Sequence, residues 1–229
     1  MKTVVTTDLH GCDLEFRALV KKVGLDQDVD MLIILGDLFD RGKHSFELYE
    51  TVLKMKQNMG ERLVLVRGNH DQFLLDAAAR GEKTVLWALN GGMRTVESFE
   101  AHGHHFAEAA ELLKDTPLFY ETEQFICVHA GLVSDKVSEI TEDICLWDRS
   151  VNEGEYKGKL GIGGHTPHET PVYFPGDGGC VPLPYDKELS LPERGFICID
   201  TGCVFGRGLT ALVIEDGKFR CTAMRKMDY

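Results

Sequence analysis

The sequence lacks the features of several protein classes. It has seven cysteines, an odd number, and no C-x-x-C pair, which argues against a disulfide framework and fits a reduced, intracellular chain. Basic residues are scarce, because 25 lysines and arginines face 37 aspartates and glutamates and the formal net charge is -12. Nucleic acids and anionic membranes are bound by clustered lysine and arginine, so we expect neither as a partner.

No apolar run approaches the length that a bilayer crossing requires. The N-terminal residues, Met1 to Val5, run directly into a polar Thr-Thr-Asp, which leaves no room for a signal peptide. The sequence also has no internal repeat, low-complexity tract or interdomain linker. We therefore expect a cytoplasmic protein, and the length of 229 residues fits one domain over residues 1–229.

Short runs of β-forming residues alternate with helical patterns in the first half of the chain. The runs at 31–35 and 62–66 are rich in apolar β-formers, whereas apolar residues recur at helical spacing over 13–23. This alternation predicts an α/β fold with a largely parallel sheet. Residues 85–114, helical by composition, are interpreted as a cap on the core. Residues 166–194 hold six of the seven prolines, which predicts a structured loop without a helix or a central strand.

Five β-forming runs end beside a glycine and a histidine, aspartate or asparagine. The carboxyl ends of parallel strands meet at one edge of a sheet, where the sites of α/β proteins are built. Glycine at such a position lets the backbone turn sharply and approach a ligand closely. The sequence therefore predicts one site from these five groups, which are Asp8/His10/Gly11, Gly36/Asp37, Gly68/Asn69/His70, His129/Gly131 and Gly164/His165.

The polar side chains of these groups are coherent as metal ligands. Six of them offer oxygen or nitrogen and none offers a thiolate: Asp8, His10, Asp37, Asn69, His129 and His165. Mixed oxygen and nitrogen donors suit Mn, Fe or Zn better than Ca or Mg. Six protein ligands are too many for one catalytic ion and suit two ions about 3.5–4 Å apart. Asp37 is the natural bridge, because a carboxylate has two oxygens.

The order of the motifs resembles a known family. D-L-H-G at 8–11, G-D-L-F-D-R-G at 36–42, G-N-H-D at 68–71, H-A-G at 129–131 and G-H at 164–165 are similar to the motifs of PPP-type metallophosphoesterases. These are the phosphoprotein phosphatases, with compact bacterial and phage members, and the diadenosine tetraphosphate hydrolases share the motifs. The similarity extends to L-N-G-G at 89–92 and D-T-G-C at 200–203. The resemblance implies a central β-sandwich of mixed sheets flanked by helices.

The resemblance also implies which residues hold each metal ion. One ion would be bound by Asp8 and His10, the other by Asn69, His129 and His165, and Asp37 would bridge the two. Thr7 stands where the family often has glycine, which affects the turn and not a ligand.

Four further residues take roles from the same resemblance. His70 would be the general acid that protonates the leaving oxygen, kept protonated and oriented by Asp40. Arg41 would bind the phosphoryl oxygens. Arg149 is the best match for the family's second phosphate-binding arginine, and a surface salt bridge is the alternative role for it.

We therefore predict a binuclear metal-dependent phosphatase that hydrolyses phosphomonoesters by in-line attack of a metal-bound hydroxide. The expected ions are Mn, with Fe or Zn as alternatives. The expected partner is a phosphoprotein or phosphopeptide carrying phosphoserine or phosphothreonine, with phosphotyrosine as a further substrate. The alternative is a nucleoside polyphosphate hydrolase of the diadenosine tetraphosphate type, against which the lack of a basic stripe argues. A third possibility is a binding module without activity, against which the complete ligand set and His70 argue.

Two other groups of side chains are assigned ordinary roles. His102, His104 and His105 follow no strand and are expected in a solvated loop of the helical cap rather than at a third metal site. Cysteines in or beside apolar strands are expected to be buried packing residues; these are Cys127, Cys198 and Cys203.

Overall fold

The computed structural model describes residues 1–81 and 84–227. The strands of these residues are β1 (Thr3–Thr6), β2 (Met31–Leu35), β3 (Leu63–Val66), β4 (Phe119–Glu121), β5 (Ile126–Val128), β6 (Gly161–Gly163), β7 (Val172–Phe174), β8 (Val181–Pro182), β9 (Leu189–Ser190), β10 (Phe196–Cys198), β11 (Gly208–Glu215) and β12 (Lys218–Arg225). The α-helices are α1 (Asp13–Lys22), α2 (Ser45–Met59), α3 (Asn69–Arg80), α4 (Val85–Leu89), α5 (Gly92–Ala101), α6 (Ala107–Leu113) and α7 (Glu142–Trp147). Among them, none combines the length and the apolar character needed to cross a bilayer.

The strands form two six-stranded mixed sheets. The first sheet has the order β3-β2-β1-β11-β12-β9, with β1, β2 and β3 parallel and β11 antiparallel to β1. The second has the order β4-β5-β6-β10-β7-β8, with β5, β6 and β10 parallel. The predicted α/β fold with two mixed sheets and flanking helices is confirmed.

Successive side chains of the central strands point to opposite faces of the sheet and pack in two different apolar layers. Val5 and Ile33 belong to a buried cluster between the sheets, together with Ile162 and Ile197 of the second sheet. The intervening positions, such as Leu32, pack in a different cluster with α1, α2 and the helical cap. Burying an apolar side chain of this size contributes about 1.5–3 kcal/mol, so the alternation fixes which face of each strand meets the other sheet.

The proline-rich segment 166–194 contains a central strand, so the prediction that it has none was wrong. β7 pairs with β10 on one side and with β8 on the other. Pro171 and Pro175 stand immediately outside this strand, so neither removes a hydrogen-bond donor within its three residues. Val172 and Phe174 are buried. The prolines therefore limit the length of the strand without preventing it.

Two helical regions surround the ends of the parallel strands. Residues 85–114 contain α4, α5 and α6. Helix α3 begins at Asn69, because Gly68 is its N-cap and donates its backbone N–H to Asp71 Oδ2 at 2.9 Å. Asn69 and His70 therefore lie in the first helical turn and not in a preceding loop.

The turns after β2 and β3 approach each other closely at Gly36. Its φ is 76°, a conformation that other residues rarely adopt. A Cβ atom on Gly36 would lie 2.3 Å from the backbone nitrogen of Gly68. Because the obstacle is backbone, it cannot rotate away as a side chain would.

We predict that Gly36→Ala lowers the free energy of unfolding by roughly 3 kcal/mol or more, since left-handed strain and steric overlap add. Gly103→Ala is the matched control, because Gly103 has φ 77° and no atom within 4 Å of its Cβ position. It should cost only about 1 kcal/mol. Urea denaturation measures both values. Equal losses in the two variants would contradict a role for the close approach.

Candidate active site

The carboxyl ends of strands from both sheets open into one cavity. Most of the sequence-predicted site residues line it: Asp8, His10, Asp37, Arg41, Asn69, His70, Arg149 and His165. The two others lie directly behind this lining, since His129 contacts Asn69 and His165, and Asp40 contacts His70. The structure thus brings together all ten residues, although they come from six separate segments.

His129 presents a lone pair to other acceptors. Its Nδ1 donates to the backbone oxygen of Leu35 at 2.8 Å, so Nε2 of the neutral ring is an acceptor. This Nε2 lies 3.0 Å from Asn69 Oδ1, 3.5 Å from Asp37 Oδ2 and 3.2 Å from His165 Nδ1. Asn69 Oδ1 and Asp37 Oδ2 are acceptors as well, so they repel the lone pair of Nε2 at these distances, and a bound cation removes that repulsion. The arrangement therefore fits a metal ion.

His10 has the same orientation on the other side of Asp37. Its Nδ1 donates to the backbone oxygen of Phe39 at 2.7 Å, and its Nε2 lies 3.6 Å from Asp37 Oδ2. Arg41 Nη1 donates to the same Nε2 at 2.6 Å. Because a metal ion would use this lone pair, Arg41 and the ion compete for His10.

Asp37 is held by both neighbouring turns. Its Oδ1 accepts the backbone N–H of His70 at 2.9 Å, and its own N–H donates to Asp71 Oδ2 at 2.9 Å. Asp71 also accepts the N–H groups of Gly68 and Leu38. The carboxylate of Asp71 therefore ties the turn after β2 to the start of α3.

Asp8 and His165 are joined across the two sheets. Asp8 Oδ2 accepts the Thr7 hydroxyl at 2.6 Å and the backbone N–H of His165 at 2.9 Å. His165 Nε2 is buried and has no hydrogen-bond partner among the residues that the structure describes. Since buried polar atoms are normally paired, a ligand in the cavity has to satisfy this ring.

His70 is oriented by a carboxylate that the helical cap supports. Its Nδ1 lies 2.8 Å from Asp40 Oδ2. Trp87 Nε1 donates to the same oxygen at 2.8 Å, and the Thr95 hydroxyl donates to Asp40 Oδ1 at 2.6 Å. The cap therefore fixes Asp40, and Asp40 fixes the imidazole of His70.

Burial sets the protonation of this pair. It raises the pKa of Asp40 to about 7, against the hydrogen bonds from Thr95 and Trp87. Burial, together with Arg41 and His129, lowers the pKa of His70 to about 3. Desolvation and the nearby positive charge therefore favour the neutral imidazole while the cavity holds no phosphate. The expectation that Asp40 keeps His70 protonated during the reaction stays a prediction.

Burial and neighbouring charges also shift the pKa values of other titratable groups in the cavity. Burial, with the neighbouring His129 and Arg149, lowers the pKa of His165 to about 2. Burial raises the pKa of Asp37 well above its ordinary value, and the charges of Asp8 and Asp71 raise it further. Neutral imidazoles and closely spaced carboxylates are the forms that divalent ions bind and stabilise. The donor set therefore fits two such ions.

Backbone strain is concentrated in this region. Among the described residues, eight that are not glycine have positive φ, and six of these are candidate site residues: Asp8, His10, Asp37, Asp40, Arg41 and His165. Such conformations cost on the order of 1–3 kcal/mol each and persist only where the surrounding structure holds them. Their concentration marks the cavity as functional, independently of residue type.

Arg149 lies at the mouth of the cavity. Its Nη1 donates to the backbone oxygen of His165 at 3.2 Å and to the Thr166 hydroxyl at 2.8 Å. The described residues show no carboxylate partner for it, so the alternative role in a surface salt bridge is not the contact observed. Asp200, also lining the cavity, is buried, and burial and the charge of Asp8 raise its pKa.

Four of the supporting residues received no role from sequence reasoning. Asp71 and Asp200 lie inside recognised motifs, G-N-H-D and D-T-G-C, so their position was a usable signal. Trp87 and Thr95 have no such signal, because they resemble ordinary apolar and polar positions of short helices.

The three cysteines and three cap histidines discussed from the sequence largely follow expectation. Cys127, Cys198 and Cys203 are buried. His104 and His105 are exposed. The His102 ring, however, stacks on Phe46 with 4.6 Å between ring centroids, so the loop is partly packed. The described residues contain no metal-ligand cluster formed by these three histidines.

Comparisons with known proteins agree with the geometry. A family model described as calcineurin-like phosphoesterase matches residues 1–189. The symmetrical bis(5'-nucleosyl)-tetraphosphatase of Glaesserella parasuis is 34% identical over 134 residues, which cover 58% of this chain and 45% of that protein. The chain therefore matches less than half the length of this relative.

Two further proteins match nearly the whole chain. The asymmetrical bis(5'-nucleosyl)-tetraphosphatase of Anoxybacillus flavithermus is 27% identical over 232 residues, covering 90% of this chain and 87% of that protein. The crystal structure of a cold-active protein-tyrosine phosphatase of a Shewanella species has a TM-score of 0.68 and 16% identity, covering 99% of this chain and 80% of that one. This second likeness shows a shared fold.

The resemblance to PPP-type metallophosphoesterases is thus confirmed. Divalent metal ions bind in this family at a binuclear site, which is the kind of site that the donor set fits. Because the family model spans most of the sequence, the chain belongs to the calcineurin-like phosphoesterase family.

Proposed function

We propose that this metallophosphoesterase hydrolyses dinucleoside polyphosphates of the diadenosine tetraphosphate type. One observation carries the choice of substrate: the asymmetrical tetraphosphatase matches over 90% of this chain and 87% of its own length. The match therefore extends well beyond the motifs themselves. Of the functions predicted from sequence, this is the alternative, and it now takes the place of the protein phosphatase.

Six residues are the proposed metal ligands. Asp8 and His10 would hold one ion, and Asn69, His129 and His165 the other. Both would share Asp37, since its Oδ2 lies 3.6 Å from His10 Nε2 and 3.5 Å from His129 Nε2. Two divalent ions bound here supply charge neutralisation for the phosphoryl group and lower the pKa of water. Mn, Fe and Zn all suit this donor set.

Four residues act on the substrate. Arg41 and Arg149 line the cavity and bind phosphate oxygens, for which the planar guanidinium group is well suited. When Arg41 moves away from His10, its guanidinium group can bind phosphate and the lone pair of His10 Nε2 can bind metal. A bound phosphate places negative charge beside His70 and so favours its protonated form. In that form His70 donates a proton to the leaving oxygen, and Asp40 holds its ring in place through the 2.8 Å contact.

A phosphomonoesterase acting on phosphoproteins is the second candidate. The observation in its favour is the scarcity of positive charge, because Arg41 and Arg149 are the arginines in the cavity lining and the net charge is -12. A long polyphosphate tail carries more negative charge than two guanidinium groups balance. The metal ions would have to neutralise the remainder.

A substrate panel separates the two candidates. The protein loaded with Mn, Fe or Zn is assayed with diadenosine tetraphosphate and with peptides carrying phosphoserine or phosphotyrosine. We predict that kcat/KM for the dinucleotide exceeds that for either peptide by at least about 10-fold, which is a 1.4 kcal/mol difference in transition-state binding. Preference for a peptide would restore the protein phosphatase, and no turnover of any substrate would contradict both.

Asp37→Asn tests the proposed bridge. Losing the shared charge should reduce bound metal from two ions per chain and lower kcat/KM by about 10³-fold or more, because several kcal/mol of charge stabilisation is lost. Metal analysis of the purified variant measures the number of bound ions per chain. Asp13→Asn is the control, since Asp13 is buried but outside the cavity lining. Retention of two ions by Asp37→Asn would rule out the bridge.

His70→Asn tests the proton donor. A general acid matters most when the leaving oxygen is a poor leaving group. The variant should keep its metal and lose activity on an alkyl phosphate about 10²-fold more than on p-nitrophenyl phosphate, within the usual range for such catalysis. His102→Asn, in the helical cap, is the control. Equal losses on the two substrates would leave His70 without this role.

A further inference from the structure

Two large aromatic side chains are exposed at the mouth of the cavity. Trp147 is 44% exposed and Phe205 is 60% exposed, and both belong to the cavity lining. Single exposed apolar residues are common on protein surfaces. Two rings at one catalytic cavity are different, because exposed apolar surface beside convergent polar groups marks a ligand site.

Each ring is held on one side by the site itself. The Arg41 guanidinium carbon lies 5.6 Å from the centre of the Phe205 ring, within the range of a cation–π contact. The ring centre of Trp147 lies 5.4 Å from that of Phe73 and 6.1 Å from that of His165. Both rings therefore have fixed surroundings and a remaining surface that solvent reaches.

The two rings adjoin different residues of the proposed metal centre. Phe205 contacts Arg41, which is hydrogen-bonded to His10. Trp147 contacts His165, which is adjacent to His129. His10 and His129 are proposed ligands of different ions and both approach Asp37 Oδ2, so each ring is linked to a different ion of the pair.

An exposed ring beside a guanidinium group suits one class of ligand in particular. Phosphate binds the arginine, and a planar aromatic group joined to that phosphate can lie on the ring. Nucleotides combine both features, and a dinucleoside polyphosphate carries a base at each end. Phosphoserine and phosphothreonine have no planar group. A phosphotyrosine has one and could use only one of the two rings.

We propose that Trp147 and Phe205 are stacking surfaces for the two nucleobases of the substrate, one linked to each ion of the pair. This inference rests on the function proposed above and adds its specificity-determining residues. Stacking on an aromatic ring tolerates any base, because every base has a π-face. The site therefore selects for the presence of bases and not for adenine over guanine.

The test compares two substrates with phosphoanhydride bonds, one that carries nucleobases and one that has none. Diadenosine tetraphosphate and inorganic tripolyphosphate are assayed with Trp147→Ala and Phe205→Ala. The ratio of kcat/KM for the dinucleotide to that for tripolyphosphate should fall about 10-fold in each variant, on the scale of one lost base stack. The fall should lie mainly in KM of the dinucleotide.

Three further variants separate stacking from damage to the fold. Trp147→Phe and Phe205→Tyr keep a ring and should hold the ratio within about 3-fold, since either ring still offers a π-face. Leu14→Ala removes an apolar side chain that is 40% exposed and lies outside the cavity. This variant should also hold the ratio of kcat/KM values within about 3-fold. A ratio that the alanine variants leave unchanged overturns the proposal, as does a fall of equal size in the ring-keeping variants.

A second measurement keeps this inference distinct from the proposed function. If the unmodified protein fails to hydrolyse diadenosine tetraphosphate, the proposed function is wrong, and AMP and ribose 5-phosphate are then compared as inhibitors of p-nitrophenyl phosphate turnover. Stronger inhibition by AMP that both alanine variants reduce supports the stacking surfaces. Equal inhibition by the two compounds contradicts them.

Discussion

The carboxylate of Asp37 is in contact with a histidine from each sheet. Its Oδ2 lies 3.6 Å from Nε2 of His10, which follows β1, and 3.5 Å from Nε2 of His129, which follows β5. In both histidines Nδ1 donates to a backbone carbonyl, so both lone pairs face the carboxylate. Acceptors are gathered at the centre of the molecule with few donors to pair them. Divalent cations balance such an arrangement, and the sandwich is the frame that maintains it.

The fold maintains this arrangement through its turns. Gly36 and Gly68 bring two loops into contact, and Asp71 binds the N–H groups of both loops, at Asp37, Leu38 and Gly68. Six site residues with positive φ are held in the same region. The helical cap contributes from the outside, where Trp87 and Thr95 bind Asp40. Backbone strain is thus concentrated at the cavity, and the apolar layers on both faces of the first sheet provide the stability that offsets it.

The convergence of the six proposed ligands could be predicted from the sequence because each follows a β-forming run and has a glycine within three residues. The local alternation of strands and helices predicted an α/β fold with a largely parallel sheet, which describes β1, β2 and β3 but not the antiparallel β11 and β12. The sandwich of two mixed sheets was implied only by the resemblance to PPP-type metallophosphoesterases. Trp87 and Thr95 could not, because their hydrogen bonds to Asp40 span 47 and 55 residues. β7 was missed because prolines dominate its surroundings, although none falls within it. The proposed substrate was the hardest feature to predict. Trp147 and Phe205 indicate a base-binding role only because the fold places both of them in the lining of one cavity.

The most direct measurement of the central claim is anomalous X-ray diffraction from crystals of the protein grown with Mn. The account predicts two anomalous peaks about 3.5–4 Å apart, one on each side of the Asp37 carboxylate. His10 should adjoin one peak and His129 the other, with the Arg41 side chain no longer on His10 Nε2. A single peak, or two peaks that share no contact with Asp37, would contradict it.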